Sequence, residues 1–230
     1  MKWRLLCVLS VWSLLLCCKK QATKPIESTL MFNNVVILGN SITYSPQNPA
    51  IGWDGNWGMA ATVPDSDYVH ILTSRFLSKN PRVNVTAKNI SWFEMDAKHY
   101  DFDLELKNLR DTKPELVIMR IGENVPPDVD LDMFEMRYVA LLNYFRINNP
   151  KVVILAGTSV WGSAADSLMI NHKPAVSLKK ILADSSNFSY GLYSHPGIQA
   201  HPGNKGMHNV ADVLWTKIMM LRLADSHDYK

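Results

Sequence analysis

Residues 33–47 read NNVVILGNSITYSPQ. The run NVVIL (34–38) leads straight into Gly39-Asn40-Ser41. A continuous apolar run of this length fits a strand buried on both faces, as in a parallel sheet. Such a strand ends at the carboxyl edge of its sheet, where α/β proteins bind ligands. A glycine followed by a small hydroxyl at that edge raises the question of what Ser41 is for.

The same signal recurs outward along the chain. Strand-like runs occur at 82–90 (RVNVTAKNI), 115–121 (ELVIMRI) and 151–161 (KVVILAGTSVW). Helical periodicity falls between them. Residues 65–79 place Val69, Leu72, Phe76 and Leu77 on one face, with Asp65, Ser66 or Asp67 able to cap the start. DLELKNLR (103–110) is a shorter helix. Residues 128–149 form the longest internal one, acidic at its start, with Arg146 near its end and Pro150 beyond. The last helix is expected over 203–225. Strands alternating with helices predict an α/β fold with one doubly wound, mainly parallel sheet. Ser41, Asn124 and Trp161 then follow the first, third and fourth strands at one sheet edge. The loop carrying His201 precedes the last helix and can reach the same edge.

With 230 residues, 47% hydrophobic and 20% charged, the chain has an ordinary globular composition. A formal charge of +3 and no basic stripe argue against a nucleic-acid partner. The first eighteen residues differ: Lys2 and Arg4 precede an apolar run from Leu5 to Leu16. The run is short for a bilayer span and matches a secretory signal, a buried N-terminal helix being the alternative. Cys7, Cys17 and Cys18 all lie in the first eighteen residues, so the body of the chain can form no internal disulfide. Leu15-Leu16-Cys17-Cys18 is a loose match to a bacterial lipoprotein cleavage site, with Cys18 lipidated. The expected organisation is a signal at 1–18, a polar tether at 19–32 and one domain at 33–230. The expected location is the bacterial envelope, as an anchored lipoprotein in the periplasm or at the cell surface, or else secreted. Any membrane contact is expected through Cys18 alone. Without residues 1–17 the formal charge falls to +1, so no strong steering of a charged substrate is expected.

The polar residues at the strand ends are of types that make a hydrolytic site. A serine attacks a carbonyl; a histidine takes the serine proton and passes it to the leaving group; an asparagine amide and backbone N–H groups hold the oxyanion. GNSIT (39–43) resembles the first block of the SGNH (GDSL-like) hydrolases, with Asn40 in place of aspartate. GEN (122–124) resembles that family's G-x-N block, and HPGNKGM (201–207) resembles its closing histidine block. The three occur in the family's order across residues 33–225. The resemblance implies a three-layer α/β/α sandwich with a five-stranded sheet and ester hydrolysis through an acyl-serine, without a cofactor. By this resemblance Ser41 is the nucleophile and an oxyanion donor through its N–H, Asn124 is the side-chain donor and His201 is the base. Gly39 would let the backbone turn, and Gly122 would give it room. His195 opens a second His-Pro-Gly and is the rival base, but only His201 is followed by a helix-opening segment.

Two departures stand out. The family's acid lies three residues before its histidine, and that position is Ile198 here. Either a backbone carbonyl holds the imidazole in a Ser-His dyad, or a remote acid does, with Asp54, Glu94 and Glu123 as candidates. The family's glycine block falls on AKNISWFEM (87–95), its glycine on Glu94, whose backbone N–H would be a third oxyanion donor. A carboxylate there requires that it point away or pair, with Arg120 for example. Trp53, Trp57, Trp92 and Trp161 are candidates to contact a sugar ring or an acyl group, or to pack beneath loops. No HExxH pair, P-loop or GxGxxG is present, so neither metal nor nucleotide is expected.

The expected function is a serine esterase acting on small acyl esters such as acetylated carbohydrates. One alternative is a non-catalytic glycan-binding module on a degenerate scaffold, favoured by the missing acid and glycine. The other is a lipase or thioesterase with an apolar channel lined by Met59, Met95, Met119 and Met207. Oligomeric state is not legible in these residues.

Overall fold

The computed structural model describes residues 32–172 and 174–227. The strands are β1 (Asn34–Gly39), β2 (Asn84–Asn89), β3 (Leu116–Arg120), β4 (Val153–Gly157) and β5 (Ala175–Val176). The helices are α1 (Tyr68–Lys79), α2 (Ser91–Met95), α3 (Phe102–Asp111), α4 (Leu131–Arg146), α5 (Asp166–Asn171), α6 (Pro196–Gln199) and α7 (Asn204–His227). All strand pairs are parallel, in the order β2-β1-β3-β4-β5. The strand-like runs at 82–90, 115–121 and 151–161 contain β2, β3 and β4, and β1 extends the first run by one residue, to Gly39. The fifth strand is two residues long, too short to leave a periodic signal, and pairs with Ala156 and Gly157.

Successive strand residues point to opposite faces, so every apolar pair feeds two cores. Val35, Ile37, Leu116 and Ile118 pack against Leu72 and Phe76 of α1 and Leu214 and Ile218 of α7. Val36, Leu38, Val117 and Met119 pack against Leu106 of α3 and Phe134, Tyr138 and Leu141 of α4. This two-sided burial is what the unbroken apolar runs encode, and it produces the three-layer α/β/α sandwich. Asp67 caps α1 by accepting from the His70 N–H at 2.8 Å, and Asp130 caps α4 from Met133 at 3.1 Å.

Three expectations are corrected here. Leu77 does not join the buried face of α1; it is 42% exposed. The domain begins no later than Phe32, assigned to the tether, because its ring is buried in the α1–α7 core and edge-on to Phe76. The long helix starts at Leu131 rather than 128 and ends at Arg146, where Ile147 turns to extended backbone. The signal, the lipidation site at Cys18 and the rest of the tether lie outside the described residues.

The strand order places β1 beside β3 at the centre. From β1 the chain crosses to α1 on one face, and from β3 to α4 on the other. The two connections diverge, opening a crevice beyond the carboxyl ends of β1 and β3.

Candidate active site

The turn after β1 is tight because Asn40 accepts on its carbonyl from both Thr43 N–H (2.9 Å) and Tyr44 N–H (3.0 Å). Gly39 is needed for space rather than for turning: a Cβ there would lie 2.7 Å from the Arg120 carbonyl oxygen of the neighbouring strand. Gly122 has φ +130, a conformation that side chains other than glycine rarely adopt, and so redirects the chain after β3. Ser41 emerges at the end of β1 with its carbonyl held by the Met59 N–H at 2.8 Å. Its own N–H has no hydrogen-bond partner among the described residues.

Ser41 Oγ lies 2.8 Å from His201 Nε2. On the other side of the ring, Nδ1 lies 2.7 Å from the Gly197 carbonyl oxygen. A carbonyl can only accept, so Nδ1 carries the proton and Nε2 presents its lone pair to the serine hydroxyl. The single turn of α6 makes this possible, delivering the carbonyl of Gly197 to a histidine four residues on. Ile198, at the position expected for an acid, points away and is wholly buried with Trp53, Met59 and Ala60. None of the remote acids hydrogen-bonds His201: Asp54 is exposed, and Glu94 and Glu123 are engaged elsewhere. His195, the rival, caps α6, its Nδ1 accepting from Gly197 N–H at 3.1 Å. His201 is buried, which pushes its imidazole below the ordinary histidine value, while the Gly197 carbonyl pulls it partly back.

Beneath the serine lies a buried polar cluster that sequence reasoning only partly located. Arg120, fully buried at the end of β3, donates to Glu123 at 2.6 Å and to Asn40 Oδ1. Glu123 also accepts from Asn40 Nδ2 (2.6 Å) and from the Val160 N–H (2.9 Å). The partner of Arg120 is thus Glu123, not Glu94. The Glu94 carboxylate enters the site, accepting from Asn124 Nδ2 at 2.6 Å, Asn40 Nδ2 at 3.1 Å and the Gly122 N–H. Burial, and then the charge of Glu123, pushes Glu94 above the usual carboxylate range, opposed by the Asn124 and Gly122 hydrogen bonds. The acidic residue inside an otherwise apolar α2 segment was the available signal; its partners, on two other loops, were not readable.

The four tryptophans separate. Trp53 is 2% exposed, donates to the Ser45 carbonyl and packs edge-on to Trp57 and Tyr193, which leaves it no face for a ligand. Trp57 is half-buried with its N–H on the Ala61 carbonyl. Trp92 is 53% exposed on α2. Trp161 stands edge-on to the His201 ring at 5.5 Å and donates to the Ala200 carbonyl. Trp161 also lines an open cleft of about 470 Å³ with Thr158, Ser163, Ser167, Ser177 and Lys179. Met59, Met119 and Met207 are buried in the cores, and Met95 is exposed, so together they line no channel. Among the described residues no group of three or more His, Cys, Asp or Glu side chains is placed to hold a metal ion.

No family model matches the sequence, and no match was found among curated proteins. Solved structures with the same fold do match. A two-domain esterase active on acetylated mannans, co-crystallised with mannopentaose, aligns at TM-score 0.53 and 17% identity over 86% of this chain. This chain spans about half of that protein, 51% of its length. A carbohydrate esterase family 3 protein from Talaromyces cellulolyticus aligns at TM-score 0.53 and 15% identity, over 82% of this chain and 97% of that one. A protein from Parabacteroides merdae provisionally classed as a GDSL-like lipase aligns at TM-score 0.55 and 16% identity, with the same coverage of both chains. At these identities the likeness establishes a fold shared with these proteins.

Proposed function

We propose that this protein is a serine ester hydrolase that removes small acyl groups, such as acetyl, from carbohydrate esters. The observation that carries the reading is the Ser41–His201–Gly197 relay. Its tautomer is the one a general base needs, and burial keeps the imidazole neutral near pH 7. His201 Nε2 takes the hydroxyl proton as Ser41 Oγ attacks the ester carbonyl. The resulting oxyanion is met by the Ser41 N–H and by Asn124 Nδ2. The histidine then protonates the leaving alcohol, and a water activated by the same nitrogen releases the acyl group from Ser41. A carbonyl in place of a carboxylate preserves the ring orientation but stabilises the imidazolium less, so a modest turnover is expected.

Carbohydrate esters are favoured by the activities of the structural neighbours and by what surrounds the dyad. Trp161 beside His201 and the hydroxyl-lined cleft next to it suit a sugar ring, with Trp57 and Trp92 as further aromatic surfaces. The methionines buried in the cores speak against a long acyl chain. The N-terminal segment is read as an export signal with lipidation at Cys18. A second reading, a glycan-binding module without catalysis, is favoured by the Glu94 carboxylate lying against Asn124. Hydrolysis of p-nitrophenyl acetate and of acetylated mannan or xylan oligosaccharides separates the two. Ser41→Ala and His201→Ala, verified as folded, are expected to lose at least about a thousandfold in kcat/KM. Equal rates in wild type and both variants would reject the hydrolase.

A further inference from the structure

Glu94 has no place in the relay described above, yet it is 1% exposed and its carboxylate is hydrogen-bonded by three donors from two site loops. Asn40 comes from the turn after β1; Gly122 and Asn124 come from the turn after β3. A buried carboxylate is costly unless its oxygens are satisfied, and here both are, by donors flanking the serine. Asn124 Nδ2 carries two N–H groups. One is spent on Glu94 Oε2; the other has no recorded partner among the described residues.

We infer that Glu94 is a positioning residue, setting the Asn124 amide so that its nitrogen, and not its carbonyl oxygen, faces the oxyanion. The inference rests on the hydrolase reading and assigns Glu94 a role through its side chain. A carboxylate oxygen can only accept, so it selects the NH₂ end of the asparagine. Without it, the two ends of the amide are nearly isosteric, and a half-turn would put an oxygen against the developing negative charge. The bond to the Gly122 N–H ties the same carboxylate to the positive-φ glycine that aims the loop. Asn40 anchors it from the other side, beside the nucleophile.

Glu94→Gln is the discriminating variant. Its oxygen can still accept from Gly122 and Asn40, but its NH₂ then confronts Asn124 Nδ2 and forces the asparagine to turn. The expected result on p-nitrophenyl acetate is a kcat lower by about a hundredfold, the size of losing one oxyanion donor, with KM changed less than about twofold. Glu94→Gln combined with Asn124→Ala should be no slower than Asn124→Ala alone, because both act through one amide. The side-chain NH₂ signals of Asn124, assigned by their loss in Asn124→Ala, are read by ¹⁵N–¹H NMR. They should move in Glu94→Gln, and their hydrogen exchange should speed up by about tenfold or more.

A kcat within about threefold of wild type, additive losses in the double variant, or unmoved Asn124 signals would each overturn the inference. If Glu94→Gln does not fold, Glu94→Asp carries the same three measurements, with an intermediate loss of kcat expected. Wild-type turnover indifferent to Ser41→Ala would remove the hydrolase reading instead. The NMR arm would still decide whether Glu94 holds the asparagine.

Discussion

At the residue scale, the notable residue is Ile198, which stands where the family resemblance led to the expectation of an acid orienting the histidine. The Gly197 carbonyl performs the orienting part of that role at 2.7 Å. Two consequences follow for measurement. Because burial lowers the His201 pKa and catalysis needs the neutral ring, kcat/KM should rise with pH through a single inflection below the ordinary value of about 6.5 and then level off. An inflection above that value would mean that an anion, not the carbonyl, controls the imidazole. Introducing an acid at that position should not help. Ile198→Asp puts a carboxylate among Trp53, Met59 and Ala60, while Nδ1 is already taken. The expected loss is about 3 kcal/mol, a Tm lower by roughly 6–12 °C, with no gain in kcat. At this scale Ser41 and Asn124 were legible as polar residues following strands, and His201 through the family resemblance of its loop; the structure brings Ser41 and His201 together. The carbonyl was not legible, since every residue has one and only the turn of α6 selects Gly197.

At the scale of elements, a buried ion pair at the carboxyl end of β3 is tied to the turn after β1 through the side chain of Asn40. Arg120 is the last residue of β3, and its charge is balanced by Glu123 three residues later. Removing one partner of a buried pair leaves the other charge uncompensated. Arg120→Met should therefore cost about 3–5 kcal/mol in urea denaturation, and Arg120→Met with Glu123→Gln should recover much of it. A single variant as stable as wild type would show the pair to be dispensable. The strands and long helices were readable from periodicity, as the four strand runs and Asp67, one of three candidate caps of α1, illustrate. The two-residue β5, the single turn of α6 and the engagement of Glu94 were not. Short elements carry no period, and a carboxylate within an apolar segment says nothing of which loops will supply its donors.

At the scale of the whole molecule, the two-sided sheet brings residues from 41 to 201 to one edge and leaves the N-terminal segment to be explained separately. Its basic start, apolar run and Cys18 lead to an export prediction. Expressed in a bacterium, the full chain should fractionate with membranes and incorporate labelled palmitate. Cys18→Ala should abolish the labelling without lowering ester turnover, since every residue assigned to the site lies beyond residue 32. Unlabelled wild-type protein in the medium would instead indicate plain secretion.

The sequence by itself determined the layered α/β architecture, because alternating burial on two faces demands unbroken apolar strands between amphipathic helices. It also determined which side chains with reactive chemistry sit at the carboxyl edge, since strand ends are set by those same runs. Only the tertiary structure decided what orients His201, which way Glu94 faces and which tryptophans keep a free surface. The Gly197 carbonyl is only four positions from His201, but the donors to Glu94 lie 28, 30 and 54 positions from it, and Trp53 is covered by Tyr193 from a distant loop. Local sequence carries no record of a partner that far away.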